Sequence, residues 1–292
     1  MSPESEPSPM TIAVTGASGF LGRQVAAALR AHGHDVRGLD VTPDRDGGGT
    51  VVDLSDPDAT REALAGCTGV VHLAGYPRAG DHTPHDVFTT NTSISFSVID
   101  AAVDVGVTDL VFVSSVSVIG YPFFTHPIVP DHLPLDEAIV STPQDSYGVS
   151  KAVGEFIIDS AVARSGGTLG AVSLRFPALH TPESFVREMP ATYETGKDSR
   201  LLWNYIDTRD AAEACAVAFN RSNVGHTKLF LAAADSFDPR PTAELLADHF
   251  PEVPVTHPVD GHTSLMNSDE AIAYLGFTPR YSWRQYEGTT DR

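Results

Sequence analysis

Between Thr11 and Phe176 the chain alternates short β-branched runs with longer amphipathic ones, and this rhythm restricts the fold more than any other feature. "TIAVT" at 11–15 predicts a strand, followed by a helix from about Phe20 to His32. "DVRGLD" at 35–40 predicts a second strand and "TVVDL" at 50–54 a short third one. Asp56 followed by Pro57 fits a helix N-cap with proline at the first helical position. "GVVHLAG" at 69–75 predicts the fourth strand, and a long helix follows from roughly Val87 to Val105. "DLVFVSS" at 109–115 and "GAVSLRF" at 170–176 predict the fifth and sixth strands, with a helix carrying Tyr147 and Lys151 between them. The fifth is apolar almost throughout, as expected of a strand covered on both faces. Strict strand–helix alternation implies crossover connections, so the expected fold is α/β, a doubly wound parallel sheet.

After Arg175 the rhythm loosens. "TRDAAEACAVAF" at 208–219 predicts a helix, "KLFLA" at 228–232 a strand, and "TAELLADHF" at 242–250 and "SDEAIAYLGF" at 268–277 two further helices. The connections at 120–145 and 176–206 are long and proline-rich, and loops of that length in a compact domain commonly serve a site. The expected organisation is a disordered leader over 1–10, a nucleotide-binding domain over 11–176 completed by part of 204–234, and a small C-terminal substrate lobe over most of 177–292.

Composition narrows the partners. With 19 basic against 38 acidic residues the net charge is −19, which argues against nucleic acid or an anionic membrane surface. No apolar run approaches the roughly 18 residues that span a bilayer. Cys67 and Cys215 form no CxxC pair, the histidines no HExxH, and no metal site is expected; a reducing cytoplasm is the expected compartment.

Gly16, Gly19 and Gly22 are spaced GxxGxxG at the junction of the first strand and first helix. Glycines there let the backbone approach a pyrophosphate while helix-terminal N–H groups face the anion. Asp40 closes the next strand, where a carboxylate accepts the adenosine ribose hydroxyls and repels a 2′-phosphate. This favours NAD over NADP, with Arg37 and Arg45 close enough in sequence to leave NADP as the alternative. Asp53 and Leu54 are placed to meet the adenine edge; the other reading of Asp53 is a cap on the next helix.

Lysine is rare: there are sixteen arginines but only Lys151, Lys197 and Lys228. Lys151 lies four residues after Tyr147, so the two share one helix face. An ammonium near a phenol favours the phenolate and lowers its pKa, a role that arginine's rigid fork serves badly. Ser114, Ser115 and Ser117 end the fifth strand, at the sheet edge where ligands bind.

Together these features resemble the short-chain dehydrogenase/reductase superfamily, specifically its extended branch. The resemblance is carried by "TGASGFLG", "HLAG" at 72–75, "SSVSVIG" at 114–120, "SYGVSKA" at 146–152, "SLRFPALHTP" at 173–182, "NYIDTRDAAEA" at 204–214 and "AIAYLGFTP" at 271–279. It implies a Rossmann-like domain binding NAD through Gly16, Ser18, Gly19, Phe20, Leu21 and Gly22, with Leu73, Ala74, Gly75 and Pro177 lining the cofactor. It implies Tyr147 as catalytic acid/base, Lys151 as its partner and a ribose ligand, Ser115 as the catalytic serine, and Asn91 as an asparagine beside the active site. Asp210 matches the family's lobe-anchoring acid, and a homodimer through the two long helices after the fourth and fifth strands is a further expectation.

Members of this branch begin with hydride transfer between a carbinol and NAD. Val116 and Ser117 follow Ser115 with no Asp-Glu pair, so dehydration is not expected. The lobe is short for a nucleotide-sugar epimerase, and "FPALHTP" lacks the asparagine such epimerases often carry there. "SSVSVIGYPF" and "LRFPALHTPES" are more similar to uronate dehydrogenases, although those typically carry Asn-His where this chain has Val116 and Ser117. The first expectation is therefore an NAD-dependent dehydrogenase acting on a small sugar or sugar acid. A nucleotide-sugar 4-epimerase and a non-catalytic dinucleotide sensor are the alternatives. Arg78 and Arg187 are candidates to bind a substrate anion; Ser117, His180, His126 and His132 are candidates to contact substrate hydroxyls.

Overall fold

The computed structural model describes residues 9–43, 49–77, 82–187, 200–220 and 224–286. Its centre is a seven-stranded sheet, parallel throughout, in the order β3-β2-β1-β4-β5-β6-β9. The strands are β1 (Thr11–Thr15), β2 (Asp35–Asp40), β3 (Thr50–Val51), β4 (Gly69–His72), β5 (Asp109–Ser115), β6 (Gly170–Phe176) and β9 (His226–Phe230). Connecting helices are α1 (Phe20–Ala31), α2 (Pro57–Leu64), α3 (Pro84–Val105), α4 (Ser146–Arg164) and α5 (Thr208–Val217).

Alternate residues of each strand enter different cores. Ile12 and Val14 of β1, with Val111 and Val113 of β5, pack with Leu21, Val25 and Leu29 of α1 and the small residues of α5. Ala13, Leu110 and Phe112 face the other way, onto Leu64 of α2, Ile94, Val98 and Ile99 of α3 and Ile158 of α4. This period-two division, with both sides apolar, is what a sheet covered by helices on both faces requires.

Helix ends follow local chemistry. Asp56 caps α2 by accepting from the Asp58 and Ala59 amides, so the capping role falls to it and not to Asp53. α3 starts three residues before the expected Val87, because Thr83 and Asp86 form a reciprocal capping box around Pro84; it stops at Gly106, whose φ of 83° a β-carbon would disfavour. Asp145 caps α4, its Oδ1 accepting from the Tyr147 and Gly148 amides.

The last third departs from the sequence reading. Within the expected loop at 176–206, β7 (Ala178–His180) pairs in parallel with β8 (Tyr205–Asp207) as a separate small sheet. Three-residue strands are too short to display a period. His180, Phe185, Tyr205, Phe237 and Trp283 stack and edge-pack around this sheet. Helices α6 (Thr242–His249) and α7 (Asp269–Leu275) follow. Single parallel bridges from Leu133 to Val255 and from Leu135 to Met266 tie the 120–145 connection to the C-terminal segments. Asp210, 1% exposed, anchors the end of the chain by accepting from the Arg280 and Tyr281 amides.

β1 and β4 are neighbours in space but separated in sequence by β2 and β3. The chain winds outward from this pair in both directions, and the crevice beyond their carboxyl ends is where doubly wound sheets bind ligands.

Candidate active site

At the end of β1, Gly16 takes φ 70°, and a β-carbon there would sit 3.0 Å from the Ala74 amide of the next strand. Gly22 is tighter: its β-carbon would lie 2.1 Å from the Gly16 carbonyl oxygen, so the turn and the first helical turn close only without side chains. Gly19 is the N-cap of α1 and supplies no side-chain cap to the helix amides. Leu21 is buried in the core, whereas Phe20 is half exposed. Asp40 is held by the Ser18 amide on one oxygen and by the Thr42 amide and hydroxyl on the other, while Ser18 Oγ donates to the Thr42 carbonyl. An uncapped helix N-terminus on bare backbone, with an oriented carboxylate at the end of β2, fits the pyrophosphate and ribose of a dinucleotide. Arg37 turns away and donates to the Ala63 and Ala65 carbonyls at the end of α2. Asp53 is exposed and bonded to Ser55, and Leu54, 2% exposed, packs into the core beside α2.

A buried polar knot that sequence reading missed joins β1 to β4. Thr15 Oγ1 accepts from the Leu73 and Ala74 amides, both at 3.1 Å, so its hydrogen goes to His72 Nδ1, 2.8 Å away. His72 Nε2 is then the protonated nitrogen and donates to Ser95 Oγ. Burial, and to a lesser degree the Lys151 charge, lower the His72 pKa to about 3, so the ring stays neutral. The knot fixes the two strand ends that flank the crevice. Beyond it Asn91 accepts from the Tyr76 amide, donates to the Tyr76 carbonyl and reaches Ser150 on α4. It clamps the turn at Gly75, whose φ is 142°, against the helix that carries Tyr147. That makes Asn91 a positioning residue.

Ser115, Tyr147 and Lys151 converge at the end of β5 and the first turns of α4. Ser115 Oγ lies 3.1 Å from Ser117 Oγ, and the Ser115 hydroxyl acts to lower the pKa of the Tyr147 phenol. Ser117 is 1% exposed and braces Ser115, its amide donating to Ser115 Oγ. Lys151 is buried; its Nζ donates to the Val113 carbonyl at 2.8 Å and sits 4.8 Å from the centroid of Phe112. The expectation of a depressed phenol pKa is corrected here. Burial pushes Tyr147 up to about 12 against the lowering by Ser115, and Asp145 adds to the rise. The ammonium is directed to a backbone carbonyl, 5.7 Å from the centre of the Tyr147 ring. Burial lowers the Lys151 pKa to about 8, with Glu155 acting against that fall.

The remaining candidates separate. Pro177 is buried where β6 runs into β7, beside the crevice. His180 is 9% exposed, bonded to Ser184 and stacked between Phe185 and Phe237. His132 pairs with Asp136, and the exposed His126 donates its amide to Gln144. Arg187 is exposed at the end of a helical stretch, while Arg45 and Arg78 lie outside the described residues. A cavity of about 380 Å³ between Phe124, Arg200 and Phe250 shares no residue with the site.

Comparison with known proteins follows the same lines. Residues 12–232 match the NAD dependent epimerase/dehydratase family. The chain is 26% identical to the UDP-glucose 4-epimerase of Corynebacterium glutamicum, with 94% of this chain and 92% of that protein aligned. It is 25% identical to the uronate dehydrogenase of Pseudomonas syringae pv. tomato, covering 90% of each. Among solved structures, a short-chain dehydrogenase/reductase superfamily protein from Agrobacterium tumefaciens with bound NAD superposes with a TM-score of 0.70 at 24% identity, covering 96% of this chain and 95% of that one.

A buried ammonium with a lowered pKa is a liability to the fold. Below about pH 8 folded Lys151 must carry a charge that burial opposes; between there and its ordinary 10.5 the unfolded chain binds the extra proton, so this penalty lessens as pH rises. Lys151→Met is therefore expected to raise the thermal midpoint at pH 7 and to lose that advantage as pH climbs from about 8 toward 10.5. Thermal melts of both proteins across that window measure the difference, and a gap that widened with pH would contradict it.

Proposed function

The chain belongs to the NAD-dependent epimerase/dehydratase family, an extended branch of the short-chain dehydrogenases/reductases, and from that premise we propose that it oxidises a hydroxyl of a small sugar or sugar acid. The observation that carries the reading is the convergence of Ser115, Tyr147 and Lys151 at the carboxyl edge of the sheet, next to the glycine turn of β1 and the oriented Asp40. NAD, when bound, supplies the hydride acceptor. Gly16, Gly19 and Gly22 would hold its pyrophosphate and Asp40 its adenosine ribose. Lys151 has donors left beyond its bond to Val113 with which to hold the second ribose.

Ser115 donates to the substrate oxygen and holds it against Tyr147, which, once its phenol has given its proton to solvent, takes the hydroxyl proton as phenolate while the carbonyl forms. With its pKa raised to about 12, Tyr147 is a phenol at neutral pH, so oxidation is expected to speed up with alkalinity and the reverse reduction to slow.

The dehydrogenase reading is favoured by the size of the lobe. Its described part is a two-stranded sheet, helices of 8 and 7 residues, and an interior filled by aromatic rings. The second reading, a nucleotide-sugar 4-epimerase, is favoured by the 26% identity to the Corynebacterium enzyme over nearly the whole chain. It would use the same residues, keep its NAD and return the hydride to the opposite face. The two free cysteines, both buried, support a cytoplasmic setting. A second copy of the chain is the partner that α3 and α4 support, since Phe96 and Phe156 stand 57% and 71% exposed on these two adjacent helices.

Three outcomes test these readings. Protein purified without added cofactor and then denatured should release little nucleotide, and the native protein should reduce added NAD with an aldose or uronate; stoichiometric NAD in the extract points to the epimerase. Tyr147→Phe should lose about 10²–10⁴-fold in turnover with cofactor affinity by calorimetry intact, and near-normal turnover would remove Tyr147 from its role. Light scattering should give twice the 31.1 kDa chain mass, with Phe156→Glu falling to the single mass; a monomeric wild type rules the dimer out.

A further inference from the structure

One face of α4 carries ionisable groups one turn apart: Tyr147, Lys151, Glu155 and, exposed beyond them, Asp159. Glu155 is 4% exposed and bound on three sides. Arg175 Nε and one terminal nitrogen reach its two oxygens at 2.9 and 2.7 Å, and Ser114 Oγ donates to Oε1 at 2.8 Å. Arg175 is itself 6% exposed and lies 5.1 Å from the centre of the Phe230 ring. Hydride transfer as read above assigns no step to Glu155 or Arg175.

We propose that Glu155, held in place by Arg175 and Ser114, is the positioning residue that keeps Lys151 charged inside the fold, and so in a state to serve the reaction; this rests on the role assigned to Lys151 above.

The surroundings of Lys151 leave Glu155 as its counter-charge among the described residues. From β4 comes His72, held neutral by burial and its two hydrogen bonds. From β5 come the Phe112 ring and the Val113 carbonyl, which carry no charge. From α3 come the uncharged Asn91 and Ser95. Arg175, on β6, is oriented by its two bonds to Glu155. From β9 come His226 and Lys228, both taken up by Asp159, the next acid along α4. On α4 itself Tyr147 is a neutral phenol at pH 7.

Asp159, His226 and Ser173 form a chain of 2.7 Å contacts shaped like a hydrolase triad. Ser173 is 0% exposed, so no substrate reaches it, and the chain instead ties α4 to β6 and β9. The burial that lowers the Lys151 pKa to about 8 is opposed by Glu155. Without that carboxylate the Lys151 pKa would fall further, toward neutrality.

The scarcity of lysine makes this directly measurable. With only three lysines, a carbon-proton correlation spectrum of protein labelled at lysine Cε holds three signals, and the one missing in Lys151→Met is Lys151. Its titration midpoint is expected near 8 in the wild type and about 1 unit or more lower in Glu155→Gln. Glu155→Asp, which retains the charge, should stay closer to wild type. Glu155→Gln combined with Arg175→Met removes both buried charges and guards against loss of folding through an unpaired Arg175; because a cation that repels Lys151 goes with the carboxylate, its midpoint should fall in the same direction but by less than in Glu155→Gln. A Lys151 midpoint unchanged in both neutralised variants overturns the proposal and leaves the pair a structural clasp. The readout is a titration and not turnover, so its failure stays separate from failure of the catalytic reading, which Tyr147→Phe decides.

Discussion

The bidentate pair between Glu155 and Arg175 is the contact on which the arrangement of the site depends. It joins the helix that carries Tyr147 and Lys151 to the strand beside the one that carries Ser115, in a layer with almost no water. A buried ion pair of this kind adds little net stability, because desolvation offsets most of the attraction. Its geometry, however, admits one placement of α4 along the sheet. Removing one partner would leave the other charge buried and unpaired, at a cost of roughly 3–5 kcal/mol.

The two ends of the crevice solve opposite problems. At the phosphate end side chains are absent, and backbone and helix terminus face the ligand directly. At the chemical end side chains are crowded, buried and braced: Ser115 by Ser117, Asn91 by Tyr76 and Ser150, Lys151 by Val113. The first arrangement suits a charged group bound in solvent contact. The second holds donors in place before substrate arrives, which lowers the reorganisation that the reaction requires. Keeping Lys151 charged without water is the price in stability of that preorganisation.

Dehydrogenase and epimerase share every residue placed at this site. What separates them is whether the cofactor leaves and whether the sugar turns over in the pocket, and neither is written in the fold. The family membership is fixed by the match over residues 12–232.

The sheet, its helices and the residues of the site were legible because each leaves a local mark: period-two apolar runs, Asp56 before Pro57, glycines at fixed spacing, and Tyr147 four residues before Lys151. β7 and β8 were illegible, since three residues show no period and their pairing spans more than twenty positions. The burial of His180 and Ser117 was not legible, since only packing by distant segments covers them. The phenol pKa was misjudged because spacing along a helix gives proximity but neither burial nor the direction of Nζ. The sequence by itself determined the parallel sheet, the crevice and the identity of the groups that meet there, because local propensity and spacing act over a few residues. Only the tertiary structure decided which of those groups are charged and what they touch, because burial and the partners Thr15, Glu155 and Arg175 come from segments far apart in the chain.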